Sequence, residues 1–454
     1  MTGSTPTSVS DGIQYSSSKA QFLNNVSSAI MKDPGLPRPN PTTSAWQVPV
    51  HPTVSSIQSS ELPEYTDFVV IGSGITGCSV TKTLLEHGAT QDSHVTVLEA
   101  RTLVSGATGR NGGHLVTAAG HTFGPLAQQH GIEAAKQITR FSILNIQHMI
   151  NMVKAMDKEV QDDCQIRDVR KVMAVGDDET WTAARNSVLA FQRHVPERSS
   201  YHCIVDADDV SERWNIKGSS GAVEHDAGAI WPYRLLAVTK VEFLGSSEYP
   251  GTMSVQKPGP ELANVGASKS WSLSHKATLD IRSGLYTTGL YYLQQNALTG
   301  RIWIGNETAY MPDILTADDT YVPEAAVQAL SSILPKMFLN GWGSESTSKI
   351  ESIWSGIQGH TADGLPVVGQ VPASVTGTED DQGQWIAAGF NGYGMDKCWL
   401  TGEALVKMML DEDVSDWFPQ CYRITEDRLQ SQLTAEATVE KFANLASEPV
   451  EVKL

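Results

Sequence analysis

The chain has 454 residues, 40% hydrophobic and 19% charged, enough for a large core and two or three domains of ordinary size. Asp and Glu outnumber Lys and Arg by 51 to 33, and the formal charge of −18 sets most of the surface against nucleic acid and anionic membranes. No apolar run reaches the roughly 18 residues of a transmembrane span, and MTGSTPTSVSDG lacks the basic and apolar regions of a secretory leader.

Residues 1–65 are rich in Ser, Thr and Pro and read as an N-terminal arm, partly disordered. The prolines of Leu36–Val50 forbid regular helix, and Trp46 suggests an arm packed on the body. Asp67–Ser73 reads as a strand, apolar enough for a sheet covered on both faces. It runs into Gly72-x-Gly74-x-x-Gly77 and a helix over Ile75–His87, and His94–Ala100 is the next strand. This is a βαβ unit for an adenine dinucleotide. Gly72 allows the tight turn, Gly74 the approach to pyrophosphate, and Gly77 close packing of helix on sheet. Glu99, ending the second strand, suits ribose hydroxyls and repels a 2′-phosphate, which favours FAD or NAD over NADP.

Thr102–His114 is a glycine-rich loop in which Arg110 is expected to face pyrophosphate or a substrate carboxylate. Helices are expected over Gly131–Glu159, Thr180–His194 and Asp206–Trp214. Strands of an antiparallel sheet are expected at Ser270–Ser274, Leu290–Leu293 and Arg301–Gly305, followed by a helix over Pro323–Leu334 and a strand within Ser344–Gly356. Trp385–Ala388 is a short strand, then glycines at Gly389, Gly392 and Gly394, then helix to about Leu410, a second place where helix N–H groups can meet a ligand. The acidic clusters Glu159–Cys164 and Glu379–Asp381 lack calcium-loop spacing. Five scattered cysteines without a CxxC pair predict no disulfide framework and no metal site. They fit a reducing compartment, and a cytoplasmic location is expected.

The segments VVIGSGITG, VTVLEA and SGATGRNGGH near one end, with GIQGHTADGLPVVGQVP and WIAAGFNGYGM near the other, resemble the FAD-dependent oxidoreductases of the D-amino acid oxidase superfamily. The likeness is nearest to fungal and bacterial members related to gamma-glutamylputrescine, glycine and sarcosine oxidases. It implies an α/β Rossmann-type FAD domain with a discontinuous antiparallel-sheet substrate domain. The FAD domain would span 66–125, 221–252 and 345–412, the substrate domain 126–220 and 253–344, and a helical tail 413–454. It implies that Gly72, Gly74, Ile75, Thr76 and Gly77 serve the pyrophosphate, and that Glu99, Ala100 and Arg101 serve the adenosine side. Ser105, Gly106, Ala107, Arg110, Asn111, Gly112 and Gly113 would run along the flavin. Gly359, Asp363, Gly364, Leu365 and Pro366 would close the lower side. Gly389, Asn391, Gly392, Gly394 and Met395 would meet the ribityl chain and pyrimidine end, with a helix starting near Tyr393 aimed at the ring.

The implied reaction is oxidation of the C–N bond of a small amine or amino acid by hydride transfer to flavin, with O2 or another acceptor. His114 is a candidate base, and structural and flavin-attachment roles stay open beside it. His121 and His360 read as loop residues, Trp231, Tyr233 and Arg234 as architecture, and Arg282, Tyr291 and Tyr292 as cavity lining or ordinary sheet. The family pattern breaks between Leu235 and Met253, where relatives carry a longer block with a central strand of the parallel sheet. A skipped exon, weak or absent flavin binding, and a wall rebuilt from the N-terminal arm all account for it. An NAD-dependent dehydrogenase and a non-catalytic scaffold remain as alternatives.

Overall fold

A computed structural model describes residues 19–52, 58–238, 250–259, 262, 266–342, 348–377 and 383–445. Most of the break (239–249) and Glu379–Asp381 lie outside them.

β1 (Phe68–Ile71) and β2 (Val95–Leu98) pair in parallel, from Phe68↔Val95 to Ile71↔Leu98, with the helix Ile75–Glu86 between them in sequence. This is the expected βαβ unit. Gly77 permits its packing, since a Cβ there would lie 1.9 Å from the Gly72 carbonyl oxygen.

Ten strands form the large sheet: β3 (His114–Leu115), β4 (Arg167–Val175), β5 (Cys203–Val205), β6 (Gly221–Ala229), β7 (Pro250–Gln256), β8 (Lys269–Ser274), β9 (Thr278–Asp280), β10 (Leu285–Gln295), β11 (Ile302–Tyr310) and β12 (Ile350–Ile357). The order is β12-β7-β11-β10-β8-β4-β6-β3, with β5 on β6 and β9 on β10. It is antiparallel except where β4 meets β8. Strands from both expected domains share it. β13 (Val367–Gln370) and β14 (Trp385–Ala388) make a separate antiparallel pair. The fold is a Rossmann-like FAD-binding domain joined to a curled antiparallel-sheet substrate domain.

Several elements depart from expectation. The helix expected over Gly131–Glu159 divides into Ile132–Lys154 and Lys158–Asp163. The C-terminal helix spans Cys398–Met409 and starts well after Tyr393. The turn before it holds Gly389, Asn391 and Gly392 at φ of 71°, 55° and 75° and delays the helix. β1 is not covered on both faces: Val70 is 8% exposed, but Val69 is 52% and Ile71 71% exposed. Among the described residues β1 has β2 as its only strand neighbour, so the apolar run that reads as a buried central strand is an edge.

The arm packs on the body through Trp46, which is 3% exposed, stacked on Trp303 at 3.8 Å and edge-on to Trp231 at 5.3 Å. Its Nε1 donates to the Asn111 carbonyl, and its own carbonyl accepts from Trp231 Nε1 at 2.6 Å. Arg234 lies 3.8 Å over the Trp231 ring, the architectural role expected. Replacing Trp46 by Ala is expected to cost about 3–5 kcal/mol. Ile71→Thr on the open edge should cost less than about 0.5 kcal/mol. Urea unfolding of both variants measures the contrast.

Candidate active site

One cavity of about 590 Å³ lies between the βαβ unit, the glycine-rich loop, the β14 turn and one face of the large sheet. That volume is ordinary for a cofactor site. Gly72, Gly74, Ile75, Thr76 and Gly77 line it from the first turn, with Glu99 and Arg101 beside them. Gly106, Ala107, Arg110, Asn111, Gly112 and His114 line it from the second loop. Gly359, Gly389, Asn391, Gly392, Gly394 and Met395 line it from the far end. The two distant motifs therefore meet in one space.

Other expected residues stand elsewhere. Ala100 is exposed, Ser105 is buried away from the cavity, and Gly113 is backed against Ile230, Gln294 and Trp46. Asp363, Gly364, Leu365 and Pro366 do not line the space. Asp363 is paired with Arg428 at 2.7 Å, and Leu365 packs in the core behind β1 with Val70 and Leu84. Arg110 lines the cavity but is held from behind. Its guanidinium is turned inward, donating to the Ser105 carbonyl at 2.7 Å and the Ser355 carbonyl at 2.7 Å, with Asp319 3.7 Å away. Buried Asp319 also pairs with Arg101 at 2.9 Å.

Backbone bonds set the remaining shape. The Glu99 carboxylate accepts from the Ser73 N–H and hydroxyl and from the Arg101 N–H. Asn391 ties the far turn together: its N–H donates to the Gly359 carbonyl at 2.8 Å, and its Oδ1 accepts from the Thr361 N–H at 2.9 Å.

The face of the large sheet supplies the rest by strand alternation. Lys171, Met173, Val223, His225, Ser272 and Leu290 reach the cavity. Tyr292 lines it while Tyr291 packs into the core on the opposite face, and Arg282 does not reach it. Glu307 lies at the far side, where burial pushes its carboxyl up and Gln358 Nε2 donates to it at 3.0 Å. Sequence reasoning missed Lys171, His225, Ser272 and Glu307. The period-two pattern of β4 and β6 was the available signal, but both strands carry polar groups toward a cavity and so read as irregular.

His114 stands against Tyr292, with ring centroids 6.1 Å apart. Its Nδ1 is 3.0 Å from Ser270 Oγ, and its buried Nε2 has no partner. Burial, then Lys171 and Arg167, push its pKa well below the ordinary value, so the ring is neutral. His121 is held at about 4 by burial and Lys171, and His360 at about 4 by burial and Lys441.

The chain belongs to the FAD dependent oxidoreductase (DAO) family, whose model matches residues 67–240 and 267–408, more than half of the chain. Among solved structures it is similar to glycine oxidase from Geobacillus kaustophilus, with TM-score 0.55 at 15% identity, covering 80% of this chain and 98% of that one. It is also similar to L-proline dehydrogenase from P. horikoshii, with TM-score 0.56 at 17% identity, covering 82% and 100%. L-amino acid deaminase from Proteus myxofaciens gives TM-score 0.56 at 13% identity, covering 86% and 99%. No curated protein sequence matches the chain. No helix among the described residues is long and apolar enough to cross a membrane, and no group of His, Cys, Asp and Glu among them could hold a metal.

The residues present fit FAD. A Cβ on Gly72, at φ +116°, or on Gly106 would meet nothing within 4 Å, so both leave open backbone facing the cavity. His114, whose buried Nε2 has no partner, borders the same space.

The buried neutral histidines give the fold a pH dependence. Burial holds His225 at about 3, below its unfolded value of 6.5. Above pH 6.5 neither state binds the proton. Below it the unfolded chain does and the folded chain does not, so stability falls as pH drops. From pH 6.5 to 5.0 this group alone should cost about 1.6 kcal/mol. In urea melts at the two values, His225→Leu should flatten the loss.

Proposed function

We propose that the protein is an FAD-dependent oxidoreductase that oxidises the C–N bond of an amine or amino acid, related to the glycine and sarcosine oxidase branch of its family. The observation that carries this reading is the single cavity shared by the two glycine motifs and backed by the polar face of the large sheet. A flavin-capping far turn is not needed by an NAD-dependent dehydrogenase.

In this reading the N-terminus of the helix Ile75–Glu86, behind Gly72 and Gly74, binds the pyrophosphate. Glu99 accepts ribose hydroxyls with the lone pairs that Ser73 and Arg101 leave free. The backbone of Gly106–Gly112 lies along the ring, and the turn Gly389–Met395 caps it. FAD, when bound there, supplies a two-electron acceptor for hydride from the carbon next to nitrogen. The chain's own part is positioning. Neutral His114 is a poor base but offers Nε2 to orient an amine, and Tyr292 closes the space beside it. O2 or another acceptor completes the cycle. The expected setting is cytoplasmic.

One observation favours a second reading, a cofactor-poor binding protein on the same shell. Val69 and Ile71 are exposed, and among the described residues β1 has only β2 beside it, without the further strand that the family resemblance implies. The two readings meet in one experiment. The purified chain should carry less than one FAD each, and FAD added at about 100 times Kd should stabilise it by about 2.7 kcal/mol. A panel of amines and amino acids added without oxygen should then bleach the flavin. His114→Leu should slow bleaching by up to about tenfold, the worth of one neutral hydrogen bond. Loading without bleaching by any amine would favour the binding protein.

A further inference from the structure

The first and last described helices pack on each other. The helix Lys19–Ile30 buries Phe22 and Val26, and the helix Ala435–Leu445 brings Phe442 and Leu445 to the same cluster, with Leu279 of β9 and Tyr286 of β10. The Phe442 ring stands edge-on to Tyr286 at 6.4 Å. Both helices lie outside residues 67–408, where the family match falls. The last helix is weakly seated. None of its residues is fully buried, and Ala437, Glu440, Lys441 and Asn444, one stripe at helical spacing, line a cavity of about 700 Å³ instead of a core. Its apolar hold is therefore the cluster with Phe22 and Val26, the mark of an element that opens before the rest of a fold.

The same tail reaches the cofactor cavity through a short chain of bonds. Lys441 Nζ donates to the Thr361 carbonyl at 3.4 Å. Arg428, in the preceding helix Glu426–Ser431, donates to the Asp363 carboxylate at 2.7 Å and to the Leu365 and Pro366 carbonyls at 2.9 Å. Thr361 Oγ1 donates to the Leu365 carbonyl at 2.8 Å, and the Thr361 N–H donates to Asn391 Oδ1 at 2.9 Å. Its methyl group packs on Gly389, 2.6 Å from where a Cβ would stand. Gly389 and Asn391 line the cavity. The turn at the far end of the cavity is thus braced from behind by residues 361–366, and the tail grips these in turn.

We propose that the two terminal helices form a clasp on the far turn. When they are docked the turn is held against the cavity, and when they part it loosens and releases what it caps. This rests on the reading that the turn caps FAD, and adds that the termini govern its exchange. By linkage the coupling runs both ways, so FAD in the cavity holds the clasp shut as firmly as the clasp holds FAD. Phe22 and Phe442 act as positioning residues, since neither lines the cavity.

The test is hydrogen exchange read by mass spectrometry on the full-length chain, with Phe22→Asp to part the helices and Phe442→Ala to trim the contact from the other side. Without FAD, each variant should speed exchange about tenfold in residues 435–445 and in 389–395, while β4 and β6 keep the wild-type rate. Faster exchange in the last helix beside an unchanged far turn overturns the inference. So does a rise that extends equally to β4 and β6 in both variants, which marks plain destabilisation. With FAD added, residues 435–445 of the wild type should gain protection, and FAD should leave Phe22→Asp about tenfold faster than it leaves the wild type. FAD that binds without protecting the last helix, and leaves both proteins at one rate, overturns the clasp while the cofactor reading stands. If the wild type binds no FAD, the cofactor reading falls, and exchange in the FAD-free chain still decides whether the helices brace the turn.

Discussion

A buried carboxylate holds the site in place. Asp319 is fully enclosed and lies between the guanidinium groups of Arg101 and Arg110. Its carbonyl accepts from the Thr42 N–H and hydroxyl, which brings the N-terminal arm to the same point. Arg110 in turn grips the Ser355 carbonyl, and Trp354 Nε1 donates to the Arg110 carbonyl at 3.0 Å. Ser44 and Trp46 add bonds to Gly109 and Asn111. The loop so clamped is rich in glycine and has few side chains with which to hold itself. Its bare backbone can face a flat ligand because charge and tryptophan behind it set its path. Removing one partner of such a pair leaves the others buried and uncompensated, which is costlier than the pair is stabilising.

With that loop fixed, the division of labour follows. The βαβ turn and the far turn supply backbone, and the large sheet supplies side chains. Alternation along β4, β6, β8 and β10 sends Lys171, His225, Ser272 and Tyr292 to the cavity while Val172, Leu273 and Tyr291 fill the core behind. The cavity is therefore basic on one side and carries Glu307 on the other. Its weak point is β1, where Val69 and Ile71 are exposed and β2 is the only strand neighbour among the described residues.

What the sequence made legible was local. The dinucleotide fingerprint, its helix and Glu99 follow from glycine spacing and strand ends, and the residues that line the first turn were read directly. The second glycine loop was recognisable, but the direction of Arg110 was not. Its partner Asp319 lies about two hundred residues along the chain, and nothing near either residue announces the pairing. Asp363 failed for the same reason, since Arg428 comes from the C-terminal helices. Helix starts were misread where a left-handed turn at Asn391 and Gly392 delayed the first hydrogen bond. The exposure of β1 could not be read from its own residues, because FVVI has the composition of a buried strand and it is an edge only because, among the described residues, it has β2 alone beside it.

The central claim is that two motifs far apart in sequence enclose one FAD. The most direct measurement is mass identification of the nucleotide released on denaturing the full-length chain after incubation with FAD and NAD together and gel filtration. The account predicts FAD, with at most traces of NAD. Recovery of NAD instead, or of no nucleotide from folded protein, would contradict it.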